Sequence, residues 1–422
     1  MQDNVKVQNA FVGGVYHPNI EMLAVQLHRQ GVQVYSHGDM AEVLRGISVP
    51  VVSMQAYTVR PPAANSQLDL LNPKIHGSTM YRRDNDQDVR DAKANGIVPF
   101  DLVAIQLPVL DRIGVQSKKE LEMTLDGIRV PDLALLRGAA KNHTSVIALA
   151  NPLDIYNWAG GHSATIHPDA SYQGRLGTTQ RVFEATAQYD AALESMVNGA
   201  FNLDSVLFNT NRVPVKTALL SVWYKEGIVD MAQTLHEAGV VLYSSGGTAT
   251  ALRNAGLPVI DSVSFTGWPA MFEHRVVTLH EKIHGGIQAR RDNTAEMAEL
   301  MALRGVPFDL VVNNLYPVKK AIDSDGATVA DVVEKTDVGG PTLTHSAARN
   351  ARWVGVVVDP ADYQRVAETI KTHGGLTDHE RLRLASKVFS TMAAYDAAIA
   401  GFYGQKLKEM RGNPSVNVTI AF

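Results

Sequence analysis

The sequence predicts an α/β fold made twice over: two consecutive domains, each with a parallel sheet covered by helices on both faces. Three observations lead there. The 422-residue chain repeats itself, because KIHG occurs at Lys74–Gly77 and again at Lys282–Gly285, an offset of 282 − 74 = 208. Strand-like and helix-like stretches alternate within each copy, as they do in βαβ units. The strand-like stretches are nearly continuous apolar runs, the pattern of strands buried on both faces.

The offset extends well beyond the motif. Tyr35-Ser36 falls on Tyr243-Ser244, Val98-Pro99-Phe100-Asp101-Leu102 on Val306-Pro307-Phe308-Asp309-Leu310, and Asn142 on Asn350. Towards the ends it becomes 206, pairing Tyr189-Asp190 with Tyr395-Asp396. Such a period is far too long for a solenoid unit and fits a duplicated domain. The reading divides the chain into residues 1–208 and 209–422, with the junction inside "FNLDSVLFNTNRVPVK" at 201–216.

The second copy opens with the apolar strand "TALLSVW", followed by a helical pattern, "EGIVDMAQTLHEAG", that closes on glycine. A second strand, "GVVLYS", runs into Ser245-Gly246-Gly247-Thr248 and a helix, "ATALRNAG". "DLVVNNLYP" and "WVGVVVDP" supply further β-rich runs. In a sheet of this kind, ligands sit at the carboxyl ends of the strands.

Bulk properties narrow the function. A formal net charge of −4 argues against a generally basic surface for nucleic acid. The absence of cysteine excludes disulfides, thiolate catalysis and cysteine-ligated metals. No apolar run reaches the length of a membrane span, and "MQDNVKVQNA" lacks a secretory pattern, so a cytoplasmic location is expected.

Ser245-Gly246-Gly247-Thr248 is a glycine-rich turn between strand and helix, where free N–H groups and hydroxyls suit an anion. Alone, such a turn is equally a tight connection. Ser221 and Lys225 leave the end of the preceding strand, and Arg275 and Thr278 add another cation and hydroxyl, which together favour phosphate. Asp337, before two glycines in "EKTDVGGPTLTHSAARN", is either an acceptor for a heterocycle N–H or a helix cap. Tyr316 in "NNLYP" is either a pocket donor or a core tyrosine. His76 and His284, one per copy, read as structural, not as metal ligands.

At these positions the copies diverge. Opposite Ser221 and Lys225 stand Gly13 and His17, and opposite Ser245–Thr248 stands His37-Gly38-Asp39-Met40, an acid where an anion would bind. Gln67 and Leu70 face Arg275 and Thr278, Arg129 faces Asp337, and Pro108 faces Tyr316. Lys141 runs the other way, because the second copy has Arg349 there.

"SSGGTATALRNAGLPV", "FTGWPAMFEHRVVTLHEKIHGGIQARRD", "NNLYP" and "TDVGGPTLTHSAARN" occur in that order within residues 216–404. This part of the chain resembles the IMP cyclohydrolase domain of the bifunctional purine biosynthesis enzyme whose other half is AICAR transformylase. The first copy resembles it more faintly, through "NPKIHG", "VPFDLV" and "LLRGAAKNH". The second copy stands where a transformylase half would follow, so a tandem pair without that half is expected.

The resemblance implies a methylglyoxal-synthase-like αβα sandwich in each copy. It also implies closure of the pyrimidine ring of 5-formamidoimidazole-4-carboxamide ribotide (FAICAR), giving IMP and water. Family members are dimers whose site borrows a lysine from the neighbouring subunit, and that lysine matches Lys141. The chain is then expected to be an internal pseudodimer, compatible with further homo-oligomerisation. Its partner is a purine ribonucleotide, with no cofactor, metal, nucleic acid or membrane.

By the same resemblance, Ser221, Lys225, Ser245, Gly246, Gly247, Thr248, Arg275 and Thr278 hold the nucleotide, and Asn314 and Gly339 line the same pocket. Asp337 and Tyr316 flank the base, and Lys141 arrives from the first copy. One departure stands out. The family's "GRVKTLHP" is "HRVVTLHE" here, and Val277 replaces a lysine with a catalytic role. Either Lys141 or Lys282 covers for it, or the substrate has changed. Two alternatives accompany the leading reading: recruitment to a purine-analogue nucleoside pathway, and a non-catalytic, nucleotide-binding regulatory protein.

Overall fold

The computed structural model describes residues 5–61, 63, 65–110, 115, 117–160, 170–201 and 212–412. Most of the expected junction at 201–216 lies outside the described residues.

Strands β1 (Asn9–Gly14), β2 (Gln33–Ser36), β3 (Val51–Ser53), β4 (Leu102–Gln106) and β5 (Ile147–Leu149) form a parallel sheet in the order β3-β2-β1-β4-β5. After β6 (Arg212–Pro214), the strands β7 (Thr217–Val222), β8 (Val241–Ser244), β9 (Val259–Asp261), β10 (Leu310–Asn314) and β11 (Gly355–Val357) form a second one in the order β9-β8-β7-β10-β11. A short β12 (Gly375–Thr377) pairs antiparallel with β6. The two large sheets share strand order and register: Ala10 faces Leu102 across β1–β4, and Ala218 faces Leu310 across β7–β10. The expected doubled α/β architecture with parallel sheets is the one observed.

Burial on both faces explains the apolar runs. Ala218, Leu219, Leu220, Val311 and Val312 are all inaccessible or nearly so. Helix Ile228–Glu237 covers one face by burying Ile228, Met231, Ala232 and Leu235, a single stripe at helical spacing. The chain then turns on Gly239, whose left-handed backbone (φ 81°) suits glycine. Among the described residues, no helix is long and apolar enough to cross a membrane.

The two halves pack through four helices. Val130–Lys141 lies against Gly339–Arg349, and the long helices Tyr172–Phe201 and Asp378–Gly412 run along one another. Buried between them is a charge cluster. Arg137 reaches Asp190 at 3.0 Å and Asp396 at 2.5 Å, while Nε2 of His345 lies 2.6 Å from Asp190. Thr186 donates its hydroxyl to Asp396. Charges this deep persist only when paired, so the cluster ties the relative placement of the halves to its own geometry.

Candidate active site

In the second sheet the chain runs β7-β8-β9 in one direction and then returns to add β10 and β11 on the other side of β7. The carboxyl ends of β7 and β10 flank this switch point, where α/β sheets open a crevice. A cavity of about 620 Å³ lies there. The site residues expected from the sequence line it, Lys141 from the first half among them; the stand-in candidate Lys282 does not.

One wall gathers hydroxyls and helix-leading N–H groups, a chemistry suited to an anion. Ser221 and Ser245 share a hydrogen bond between hydroxyls at 2.8 Å, joining β7 to the turn after β8. Thr248 accepts the N–H of Val222 and donates to its carbonyl, fixing the first turn of helix Gly246–Asn254 against β7. Ser245 leaves that helix without a side-chain cap, so its leading N–H groups face the cavity unclaimed by a side chain. Gly246 has φ 49°, a conformation that disfavours a side chain. The Lys225 ammonium folds back onto the carbonyls of Val222 and Trp223, and partial burial lowers its pKa.

The opposite wall carries Asp337, Tyr316 and Lys141. Asp337 is buried and accepts the N–H of Gly340 at 3.1 Å, so it does part of the work of a helix cap as well. Burial raises its pKa, while N–H groups and the Lys141 ammonium pull the other way. A Cβ on Gly340 would lie 2.3 Å from Oδ2 of Asp337, so this carboxylate position requires glycine there. The Asp337 N–H donates to the Tyr395 hydroxyl, which donates in turn to the carbonyl of Lys335. Tyr316 packs against Trp223 with ring centroids 4.4 Å apart, and burial pushes its pKa up to about 12. The Lys335 ammonium sits over the other ring of the pair, 4.9 Å from the Trp223 centroid.

Lys141 crosses between the halves. Its ammonium donates to the carbonyl of Thr336 at 2.7 Å and lies 3.5 Å from that of Glu334. Burial, helped by nearby Arg275, lowers its pKa to about 8 against the opposing pull of Glu334 and Asp337. In the reverse direction, Arg349 of the second half donates to the carbonyl of Asp126 in the first half and to Gln288 of its own half. The crossing is thus two-fold in geometry, but only one direction ends at a cavity wall with an anion cradle opposite.

Two sequence candidates prove to be occupied elsewhere. The Asn314 amide lines the cavity but is consumed in tying β7 to β10: it accepts the N–H groups of Trp223 and Tyr224 and donates to the Tyr224 carbonyl and the Tyr363 hydroxyl. Lys282, considered as a stand-in for the lysine missing at 277, does not line the cavity. It donates to the carbonyl of Phe265 and lies over that ring, as Lys74 does with Tyr57 in the first half. His76 and His284 are buried, and burial lowers the pKa of each to about 3. Among the described residues, no group of three or more His, Asp or Glu side chains is placed to hold a metal ion.

The equivalent region of the first half is filled by its own charges. Asp69, at the place of Val277, accepts from Gln55 and from the N–H of Ala63 and lies 4.0 Å from His37. Arg129 and Asp132, at the places of Asp337 and Gly340, form an ion pair.

The structure also adds residues the sequence reading missed. Asn313 donates to the Ser221 carbonyl, and its buried Oδ1 takes no hydrogen bond. The loop Met271–Val276, closed by an antiparallel bridge, brings Glu273 and His274 to the cavity rim. Phe272, Glu273 and His274 all have left-handed φ (55°, 53° and 68°), at a cost of roughly 1–2 kcal/mol each for non-glycine residues. The first half holds this loop in place. Phe272 is buried beside Tyr81, and Arg82, in a two-bond pair with Asp88, also reaches Glu273 at 2.9 Å. Arg275 lies 3.1 Å from Glu334 and 3.7 Å from the same Asp88. Only contact between the halves assembles these groups, and no local sequence pattern announces them.

Residues 227–342 match the model of the MGS-like domain, and residues 347–421 match that of the AICARFT/IMPCHase bienzyme. Among solved structures, the chain is similar to one described as the crystal structure of ForH, at 34% identity. That match covers 45% of this chain and all of the other, with a TM-score of 0.40. A weaker likeness, to UDP-GlcNAc 2-epimerase from Neisseria meningitidis bound to UDP-GlcNAc, has 9% identity over 96% of this chain and all of the other, with a TM-score of 0.18.

Proposed function

We propose, for a chain whose second half is an MGS-like domain related to the IMP cyclohydrolase of purine biosynthesis, that the cavity closes or reopens the pyrimidine ring of a purine ribonucleotide. The reaction is FAICAR to IMP or a close analogue, at one site built from both halves. The observation that carries this reading is the meeting of an anion cradle at Ser245–Thr248 with buried Asp337 and cross-half Lys141 around one cavity.

The nucleotide phosphate lies on the cradle, where the remaining hydroxyl proton of the Ser221–Ser245 pair and the N–H groups of the glycine turn donate to it, while Thr248 holds the turn against β7. The base lies between the Tyr316–Trp223 pair and Asp337. Ring closure forms a bond between the carboxamide nitrogen and the formyl carbon; the carboxamide nitrogen and the formamide nitrogen each give up one proton, and the formyl oxygen departs with them as water. Asp337, with a raised pKa, accepts a hydrogen bond from the carboxamide N–H and takes its proton. Lys141 stabilises the developing oxyanion as an ammonium. Run backwards, the same groups hydrate and open the ring.

Val277 favours a second reading. An apolar side chain at 277, where the family has lysine, suits a homologue recruited to make a purine-analogue nucleoside, with a different leaving group. The deciding test is purified protein with FAICAR, following IMP by absorbance against the uncatalysed rate. Acceleration supports the cyclohydrolase reading. Tight IMP binding without acceleration moves the assignment to an analogue substrate or a regulatory role.

A further inference from the structure

We propose that His274 is a catalytic residue of this cavity, carrying the proton that a lysine at 277 handles in the family. This rests on the cyclohydrolase reading above.

Four observations lead to it. His274 is exposed and lines the cavity, and it makes no hydrogen bond or ion pair among the described residues. Its neighbours on the loop are committed: Phe272 is buried against the first half, Glu273 is paired with Arg82, and Arg275 is paired with Glu334. The backbone at His274 is left-handed, and it stands where the resembled motif has glycine, so a side chain is carried at a position that suits none. Val277, three residues on in the same wall, contributes no proton donor or acceptor. The two departures from "GRVK" therefore offset one another chemically, one removing a proton-transfer group and the other adding an imidazole to the same rim. Imidazole gains and loses a proton near neutrality, as general acid–base work requires.

The step balances. Closing the N–C bond moves the carboxamide proton through Asp337 to the former formyl oxygen, giving a hydroxyl. The imidazolium of His274 gives a second proton to that hydroxyl as the C–O bond breaks, the oxygen leaves as water, and the formamide nitrogen loses its own proton as the C=N bond forms. That proton returns to the imidazole through solvent, so the enzyme is restored without an external acid or oxidant.

The experiment compares wild type with His274→Gly, which restores the family residue and relieves the backbone, and with His274→Gln. Both variants are expected to bind IMP within about 3-fold of wild type by calorimetry and to lose about 10²–10⁴ in turnover of FAICAR. Added imidazole should restore part of the rate to His274→Gly, and the wild-type pH–rate profile should lose one limb in both variants. His274→Gly carrying Val277→Lys should recover turnover without imidazole. Wild-type rates in His274→Gly overturn the proposal and leave the cyclohydrolase reading standing. A wild-type protein that does not accelerate IMP formation overturns both.

Discussion

The Lys141 ammonium donates to the carbonyl of Thr336 at 2.7 Å, across the boundary between the halves and one residue before the buried carboxylate of Asp337. A cation from one half is thereby fixed beside an acid of the other, in surroundings that lower its pKa to about 8.

Lys141→Ala is expected to lower turnover about 10²–10⁴-fold while the protein remains folded. An active variant overturns the shared-site reading. The titration adds a check. As an ammonium, Lys141 supports oxyanion stabilisation below pH 8, so the rate should fall as pH rises through about 8, and this limb should vanish in the variant. For stability the sign is opposite: between pH 8 and 10.5 the unfolded chain binds more protons at this lysine than the folded one, so wild-type stability should climb with pH there, relative to Lys141→Ala.

Asp337→Asn keeps an oxygen for the Gly340 N–H and removes the base. It should abolish measurable ring closure with little change in melting temperature. Gly340→Ala should lose activity as well, because its methyl group meets Oδ2 of Asp337 at 2.3 Å. A fully active Gly340→Ala protein would show that the carboxylate position is unimportant.

Arg129→Ala tests whether the first half has its own site. Its guanidinium pairs with buried Asp132 and faces no anion cradle. Kinetic constants should be unchanged, whereas thermal denaturation should reveal a loss of about 1–3 kcal/mol from the stranded carboxylate.

Arg137→Met leaves Asp190 and Asp396 buried together without their shared cation. Destabilisation of about 3–5 kcal/mol is expected from breaking a buried charge network. Chemical denaturation measures it, and a variant as stable as wild type would show that the cluster does not hold the halves together.

His274→Gly should also stabilise the fold by about 1 kcal/mol, since glycine adopts φ 68° without a Cβ penalty. No gain in melting temperature would show the loop to be unstrained.

Much of this protein is written locally in its sequence. The 208-residue offset, the apolar runs of β7 and β10 and the glycine-closed helix after β7 are short-range patterns, and short-range patterns predict parallel sheets covered by helices. That Ser221, Ser245, Thr248, Asp337 and Tyr316 share one crevice was legible too, because strand ends in such a fold converge there. Whether a polar side chain is free or already engaged was not legible. Asn314 and Lys282 looked available in the sequence, and folding committed one to main-chain groups of β7 and the other to Phe265.

What the sequence by itself determined is the α/β fold with two parallel-sheet domains. The tertiary structure alone decided how the halves meet: that Lys141 ends at Thr336, that Arg82 and Phe272 hold a left-handed loop at the rim, and that His274 stands there without a polar partner among the described residues. The reason is physical. Strand and helix preferences act over a few residues, whereas pairing, desolvation and strain depend on groups more than a hundred positions apart in the chain, and only packing brings those together.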